Sequence, residues 1–474
     1  MIRETLNRLT GGRFSYDALN PSGRRKSPRT RPVREDYHVR NGKHRQLQEN
    51  AADLCRNLSL AAWMVRRHLD YVSQFDFHGR SEDESLNRQI ESLMLGDSYP
   101  SGSDVSGRFG REKLFRLAEM RRVLDGDTLL IKMNDGRLQG IQADLVRDPI
   151  DVRTTGEDWV NGVRIGRTGR PLAYGVWRRT SDSGVEFARR ISARNLIHYG
   201  FFDRYAGDQV RGVSPLVSAL NPLRDVYENF TYALAKAKVS QLFALAFYRD
   251  SDDSVGHVEE DAAMGRSDSD GDHVEEPNGY QVSFASNNAQ ILDLEPGDRA
   301  EFLESRQPSS EFQDFTQLVV QVALKSLDIP YSFYDESHTN FFGSRAAWLH
   351  YERSCKDKRD DQIEMRRNYT VWKITQWVRD GRLTLPAGMR VLDVAFEWVP
   401  RGMPWWDPSK EINGHVQAIK SGLDNPQRIC RATGTDVFDN IDQIAKVQAY
   451  AEEKGVSLDY VLAQQSVNVV EVDE

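Results

Sequence analysis

Between Ser344 and Arg379 the chain runs 36 residues without a proline or a glycine. As one α-helix, at ~1.5 Å per residue, that run is roughly 54 Å long, well beyond the width of a small domain. Its centre, "ERSCKDKRDDQIEMRRN", is heavily charged, while Trp348 and Leu349 at one end and Val371, Trp372, Ile374 and Trp377 at the other are apolar. The pattern predicts a helix buried only at its ends, bridging two packed regions. Two more long helices precede it. Val210–Phe247 holds Ser214-Pro215 and Asn221-Pro222, each a capping residue followed by proline at a first helical position. The second start is expected to govern the longer run. From Pro222 to Phe247, Leu223, Val226, Tyr227, Phe230, Leu234, Ala237 and Leu242 make one apolar stripe along roughly 39 Å of helix. Ser310-Glu311-Phe312-Gln313 reads as a capping box, and the stripe from Phe312 to Leu327 ends before Pro330. An aromatic loop, "YSFYDESHTNFFG", joins this helix to the long one.

Around these helices the periodicity changes several times. Lys43–Val72 reads as helix, and a polar stretch, "GDSYPSGSDVSGRFG", separates it from another through Leu114–Leu124. Gly126–Tyr199 reads as a largely antiparallel β region, with turns at Asp135-Gly136 and at the glycines between Gly162 and Gly169. From Asp250 to Glu276 eleven acids face a single Arg266, an acidic excursion with little to bury. Strand-like "YQVSFA" and "AQILDL" follow it. After another strand, "VLDVAFEWV", the end of the chain reads as short helices.

Composition bounds the function. The 474 residues are 28% charged and 39% hydrophobic, a globular balance, and no apolar run approaches the ~20 residues of a membrane span. The N-terminus lacks the apolar core of a signal peptide. Cys55, Cys355 and Cys430 fit no zinc or disulfide spacing, so they are expected to be reduced and buried. A net charge of −8 argues against a protein whose whole surface grips nucleic acid. One basic stretch, "GRRKSPRTRPVR" at Gly23–Arg34, reads as a disordered tail or as a contact to nucleic acid or an acidic partner.

Catalytic chemistry is not indicated. "GVSPL" at Gly212 has Leu216 where a nucleophile elbow needs its second glycine, so Ser214 reads as a helix cap. "SDSDGDH" at Ser267–His273 would put Arg266 and Pro277 in the ligand slots of a calcium loop, which excludes an EF-hand. There is no phosphate loop, no His-Glu-x-x-His helix and no paired Cys motif. No catalytic residue, metal ligand or cofactor is expected. The tryptophans at 348, 372, 377, 398, 405 and 406 read as core or interface anchors.

The order of these elements, with five strings along the chain, resembles the lambda-type family of tailed-bacteriophage portal proteins. The strings are "ENAADLCRNLSLAAWMV" with Arg56-Asn57, "GRPLAYGVW", "HYGFFDRYAGDQVRGVSPL", "LDIPYSFYDESHTNFFGSRAAWLHYER" and "WVPRGMPWWDPSKEINGHVQAIKSGLDNP" with Asp407, Pro408, Lys410 and Glu411. Two departures stand out. "DYVSQFDFHG" replaces a glycine-bearing turn, and the acidic excursion matches no motif of the family. The resemblance implies an α+β portal fold: a β-rich wing, a two-helix stem, a small α/β clip, a long wing-to-crown helix and a helical C-terminal crown. Placed on this chain, it implies a flexible basic tail over 1–45, wing over 46–213, first stem helix over 214–248 and clip over 249–308. The second stem helix then spans 309–330, the tunnel loop 331–343, the long helix 344–381, a wing return 382–410 and the crown 411–474.

The function implied is that of a ring, typically of twelve subunits, at one capsid vertex, through which double-stranded DNA is packaged and ejected. The implied partners are other copies of the chain, that DNA, the terminase large subunit, major capsid and scaffold proteins, and head–tail connector proteins, with no membrane. The implied location is the virion, and the host cytoplasm during assembly. The loop tip Ser337, His338, Thr339 and Asn340 would touch DNA, with Phe341 and Phe342 anchoring the loop's exit on the long helix. Lys236, Lys238 and Lys325 would line the channel and offset repulsion, or else snorkel at a subunit interface. The competing readings are another head–tail adaptor, usually a much shorter chain, and a DNA-packaging enzyme, which the missing phosphate loop disfavours.

Overall fold

The computed structural model describes residues 34–40, 42–150, 158–182, 184–242, 245–249, 298–302, 310–337, 340–402 and 407–456. They fall into two compact units, Met1–Asp225 with Leu318–Glu474, and Val226–Gln317.

The larger unit begins with helices α1 (Glu35–Val39), α2 (Lys43–Asn57) and α3 (Ser59–Val72). Strand β1 (Phe75–Gly79) and helices α4 (Glu84–Gly96) and α5 (Arg111–Asp125) follow. The β region then supplies β2 (Asp127–Lys132), β3 (Leu138–Gln142), β4 (Trp159–Val160), β5 (Val163–Ile165), β6 (Pro171–Arg179), β7 (Val185–Ser192) and β8 (Leu196–Gly200). These pair antiparallel into a sheet of order β3-β2-β8 and another of order β4-β5-β6-β7, as the turn signals predicted. Period-two alternation on β2 serves two cores at once. Leu130 packs with Phe75, Ile90, Phe115 and the long helix, whereas Leu129 and Ile131 pack with Val163, Tyr174 and Ile191 of the four-stranded sheet.

Several expectations are corrected. The stretch 1–45, expected to be a flexible tail, holds α1 and the start of α2, where Asp36, Val39 and His44 are buried. The single helix expected over Lys43–Val72 breaks at Leu58, which is extended (φ −112°, ψ 113°) and buried. Helix α4 lies in a stretch left unassigned, capped by Asp83, whose carboxylate accepts from the amides of Ser85 and Leu86. The segment "FDFHG" is β1, paired with β11 (Phe396–Pro400) over 300 residues away.

Both ends of the helix expected over 214–248 differ from the expectation. Ser214 does cap, its hydroxyl accepting from the Leu216 amide, but it opens a 3₁₀ turn, Pro215–Ala219, that runs straight into α6 (Leu220–Leu242). Asn221 therefore lies inside the helix, and there is no second start. The helix stops at Leu242 rather than Phe247, since Leu245–Arg249 is strand β9, paired antiparallel with β10 (Asp298–Phe302). "QLFALAFYR" holds no helix breaker, so long-range pairing decides what local propensity leaves open. Helix α7 (Ser310–Leu324) continues as a 3₁₀ turn and ends at Asp328, a residue with φ 60°. Its expected capping box reaches into side chains outside the described residues, as do the strand-like pieces and acidic excursion between 250 and 297, and Trp405 and Trp406.

The long helix, α8, spans Phe341–Arg379. The expectation that only its ends are buried is wrong. Cys355, Arg359, Gln362, Arg366, Tyr369 and Lys373 recur at steps of three and four and are all buried, so the centre has an inward stripe made largely of polar residues. Arg366 is enclosed by aromatic faces, its guanidinium 4.4 Å from the Phe75 ring, 4.7 Å from Phe115 and 4.8 Å from Trp398, and donates to Glu112 at 2.9 Å. Three capped helices end the described chain: α9 (Pro408–Lys420), α10 (Pro426–Thr433) and α11 (Val437–Glu453). The Asp-Pro-x-Lys-Glu string is the start of α9. The Asp407 carboxylate accepts from the Lys410 amide and Pro408 sits in the first turn, three residues ahead of the expected boundary at 411.

Candidate functional site

The backbone leading into α6 is held by a buried polar clamp. Arg211 donates to both oxygens of Asp127, at 2.6 and 2.8 Å, and to the carbonyls of Ala143, Val146 and Asn161 at 2.9, 3.1 and 2.8 Å. The Asp127 carboxylate also accepts from the Gly212 amide at 2.9 Å and meets His198 Nε2 at 3.0 Å. Burial alone would raise the Asp127 pKa, but the Arg211 charge and these bonds hold it far below the usual carboxylate range. The neighbouring backbone is held as firmly. Asp36 accepts the Val210 amide, Ser214 Oγ donates to the Val123 carbonyl at 2.6 Å, and His44 Nε2 lies 2.8 Å from the Gly212 carbonyl. Burial pushes the His44 pKa down to about 4, so at neutral pH the ring is uncharged and donates from Nε2. Gly126 and Gly212 pass so closely that a Cβ on Gly212 would sit 2.2 Å from the Gly126 carbonyl oxygen. Nothing in this clamp is a nucleophile awaiting a substrate; every group in it positions backbone.

One member of the neighbourhood is unfavourable. Asp125 ends α5, where the helix dipole opposes a negative charge. Burial pushes its carboxyl up to about 6, and Asp127 and Asp144 add to the rise against Arg121.

The expected tunnel loop is shorter than its boundaries. Tyr331–Phe333 form a 3₁₀ turn that packs back on the fold, with Phe333 stacked on Tyr71 at 5.7 Å and Tyr334 edge-on to Trp63 at 6.1 Å. Asp335 accepts the Ser337 amide at 3.0 Å and is also bonded by its hydroxyl. Asn340 is the N-cap of α8, its side-chain oxygen accepting from Gly343 N at 2.7 Å. Phe341, Phe342 and Gly343 thus belong to the helix. Phe342 is 79% exposed, while the Phe341 side chain, His338 and Thr339 lie outside the described residues. Of the expected tip, the structure places Ser337 and Asn340 at either side of those two.

Of the lysines expected to line a channel, Lys325 is exposed on the turn after α7, and Lys236 and Lys238 lie on α6 with side chains outside the described residues. The two long helices expose much of their apolar stripes. In the smaller unit Tyr227, Phe230, Tyr232, Leu234 and Phe315 are about half or more exposed, although Phe230 meets Phe312 edge-on at 6.1 Å. In the larger unit Leu318 and Val322 are 57% and 55% exposed. Among the described residues no group of His, Cys, Asp or Glu is placed to hold a metal ion, and no helix is long and apolar enough to cross a membrane. The residues that sequence reasoning missed are Asp127 and Arg211. An arginine between valine and glycine, 84 residues from its partner, gives no local sign of burial.

Comparison with known proteins adds the following. The family described as phage portal protein, lambda family, matches residues 22–359. A curated relative, a probable portal protein of Halomonas phage phiHAP-1, is 24% identical over 417 residues, covering 82% of this chain and 76% of the relative. Among solved structures, a chain of the virion of a native gene transfer agent particle aligns with a TM-score of 0.44 at 12% identity, covering 81% of this chain and 93% of that one. A chain from the neck of the native particle, computed with C12 symmetry, aligns with a TM-score of 0.42 at 12% identity, covering 84% and 94%.

Proposed function

The chain belongs to the lambda family of phage portal proteins, and on that premise we propose that twelve copies close into a ring whose channel carries double-stranded DNA into and out of the capsid. As a portal protein it is a structural component of the virion's portal vertex, not an enzyme. The observation that supports the ring is the exposed stripe on α6 and α7. Tyr227, Phe230 and Leu234 recur at steps of three and four, yet each is about half exposed in a single chain. Exposed apolar surface of that kind calls for a partner, and a head-to-tail contact between copies closes a ring when its rotation divides a full turn.

In this reading α6 and α7 form the stem, 249–308 the clip that docks terminase and connector proteins, and 411–474 the crown. The wing faces major capsid and scaffold proteins, and assembly takes place in the host cytoplasm. Twelve copies at −8 carry on the order of −100 charges, which disfavours tight binding of DNA and favours its passage. The tip at 337–340 touches DNA sterically, and Lys236, Lys238 and Lys325 soften repulsion along the wall. Mass measurement of the purified protein tests the ring. The expected result is a large oligomer, or a monomer that assembles as concentration rises. A compact monomer at every concentration and salt would refute it.

A further inference from the structure

Helix α11 is held at its start and bare along its middle. Asp436 caps it, accepting from the amides of Phe438 and Asp439, and Arg80 bonds the same carboxylate. Beyond that first turn every residue from Ile441 to Tyr450 is exposed, and within the helix only Ala451 is buried. Yet Ile441, Ile444, Val447 and Ala451 follow at steps of three, three and four, and so share one face. The first three are 56%, 37% and 46% exposed. A helix of this length owes its stability to packing of its apolar face rather than to propensity. The far end of α11 is built as a turn. Gly455 is left-handed at φ 67°, its amide bonds the Glu452 carbonyl at 3.1 Å, and the Val456 amide bonds the Ala451 carbonyl at 2.9 Å. These two bonds make a Schellman motif, which ends a helix by satisfying its last carbonyls. Residues 457–474 follow, outside the described residues. Their sequence opens on Ser457, a capping residue, with Asp459 close behind and Leu458, Val461 and Leu462 at the spacing of one helical face.

We propose that the chain's own segment from Leu458 to Gln465 packs antiparallel on α11 and covers Ile444, Val447 and Ala451. The link supports this occupant. Four residues, Lys454 to Ser457, separate the two stretches, within the range of about two to five that joins antiparallel helices. The lengths agree too. Eight residues of helix rise roughly 12 Å, and Ile444 to Ala451 spans roughly 10 Å. Leu458 then lies beside Ala451 and Leu462 beside Val447. Tethering decides between this segment and a second copy. A segment on so short a link meets α11 at an effective concentration on the order of millimolar, above that of any free molecule in dilute solution.

Two measurements test it. The full chain carrying Val447→Cys with Leu462→Cys is oxidised as a mixture of isotope-labelled and unlabelled copies, combined before assembly, and disulfide-linked peptides are identified by mass. The 447–462 link should form, in peptides that are wholly labelled or wholly unlabelled. Peptides combining the two labels would make a second copy the occupant and overturn the proposal, as would failure of the link to form. Amide exchange is then compared between the full chain and a chain ending at Val456. Exchange over 444–451 should rise at least about tenfold in the shorter chain. Leu458→Asp with Leu462→Asp in the full chain should produce the same rise, with exchange across β2 and α5 unchanged. Exchange over 444–451 that stays the same in both would also overturn the proposal. It does not rest on the ring: the contact lies within one chain, and the mass of the assembly is measured separately on the same samples.

Discussion

Replacing Arg211 with methionine removes the cation of the clamp while keeping most of its side-chain volume. The change deletes two charge-assisted bonds to Asp127 and three to the carbonyls of Ala143, Val146 and Asn161. Arg211 is 1% exposed and Asp127 fully buried, so water does not replace what is lost. Breaking a buried pair from one side costs about 3–5 kcal/mol. The orphaned carbonyls put the expected value in the upper half of that range, and the melting temperature should fall by about 5 °C. Urea unfolding followed by tryptophan fluorescence reads the loss directly. Asp127→Asn with Arg211→Met should cost less than the sum of the two single changes, by roughly 2 kcal/mol, because each single change already forfeits the shared bonds. The pH response gives an independent check. Asp127 is held below its ordinary pKa, so its contribution is complete above about pH 4 and is lost as pH falls further. That acid-side slope should flatten in Arg211→Met. A loss under about 1 kcal/mol, or strict additivity, would refute the view that this pair holds the lead-in to α6.

Asp125→Asn should stabilise the protein by up to about 2–3 kcal/mol at pH 7, because the folded carboxyl, raised to about 6, is costly to ionise. The cost is absent below about pH 4 and complete above about pH 7, so the variant's advantage in urea should vanish in acid. Tyr227→Ser with Phe230→Ser should shift the mass distribution towards monomer, with little change in the far-ultraviolet spectrum, since both side chains are about half exposed within one chain. Glycine at each of 337–340 should leave the ring intact and reduce packaged or retained DNA; full packaging would end the steric-contact role of that tip. Deleting Ser251–Glu275 should spare assembly, because the segment holds few apolar residues to bury, and a collapsed fold would show that it is structural.

What was legible in the sequence was whatever local chemistry determines. Asp135-Gly136 and the glycines near 162–169 marked real turns, and Gly136, Gly162 and Gly169 all adopt positive φ. Ser214 and Asp407 cap as their neighbours suggested. The failures share one cause. Asn221-Pro222 has the composition of a helix start but follows a turn already winding into α6, so context overrides the signal. Phe247 ends up in a strand because β10 pairs with it, a partner more than fifty residues away. The centre of α8 looked solvated because its inward residues are Arg359, Gln362, Arg366 and Lys373. An apolar stripe announces its own burial, whereas a buried cation is recognisable only through what surrounds it.

That last asymmetry bears on how the fold divides its labour. Polar groups concentrate inside the larger unit: Arg366 among three aromatic rings, Arg211 on Asp127, and Lys373 bonded to Asp97 at 2.6 Å and to the Gly136 carbonyl. Apolar stripes are exposed on α6 and α7, and on α9, where Ile412, Val416 and Ile419 follow at steps of four and three. A hydrophobic contact tolerates sliding, because its energy follows area rather than direction. A charge inside the fold has one geometry that satisfies it, and displacement leaves it unpaired at a cost of several kcal/mol. The buried cations therefore hold the backbone leading into α6 and the packing of α8 within the larger unit. The exposed stripes, being less directional, leave neighbouring copies free to settle against one another. A subunit that must meet identical copies at one repeated angle needs rigid exits and adaptable contacts, and this chain places each where its chemistry suits it.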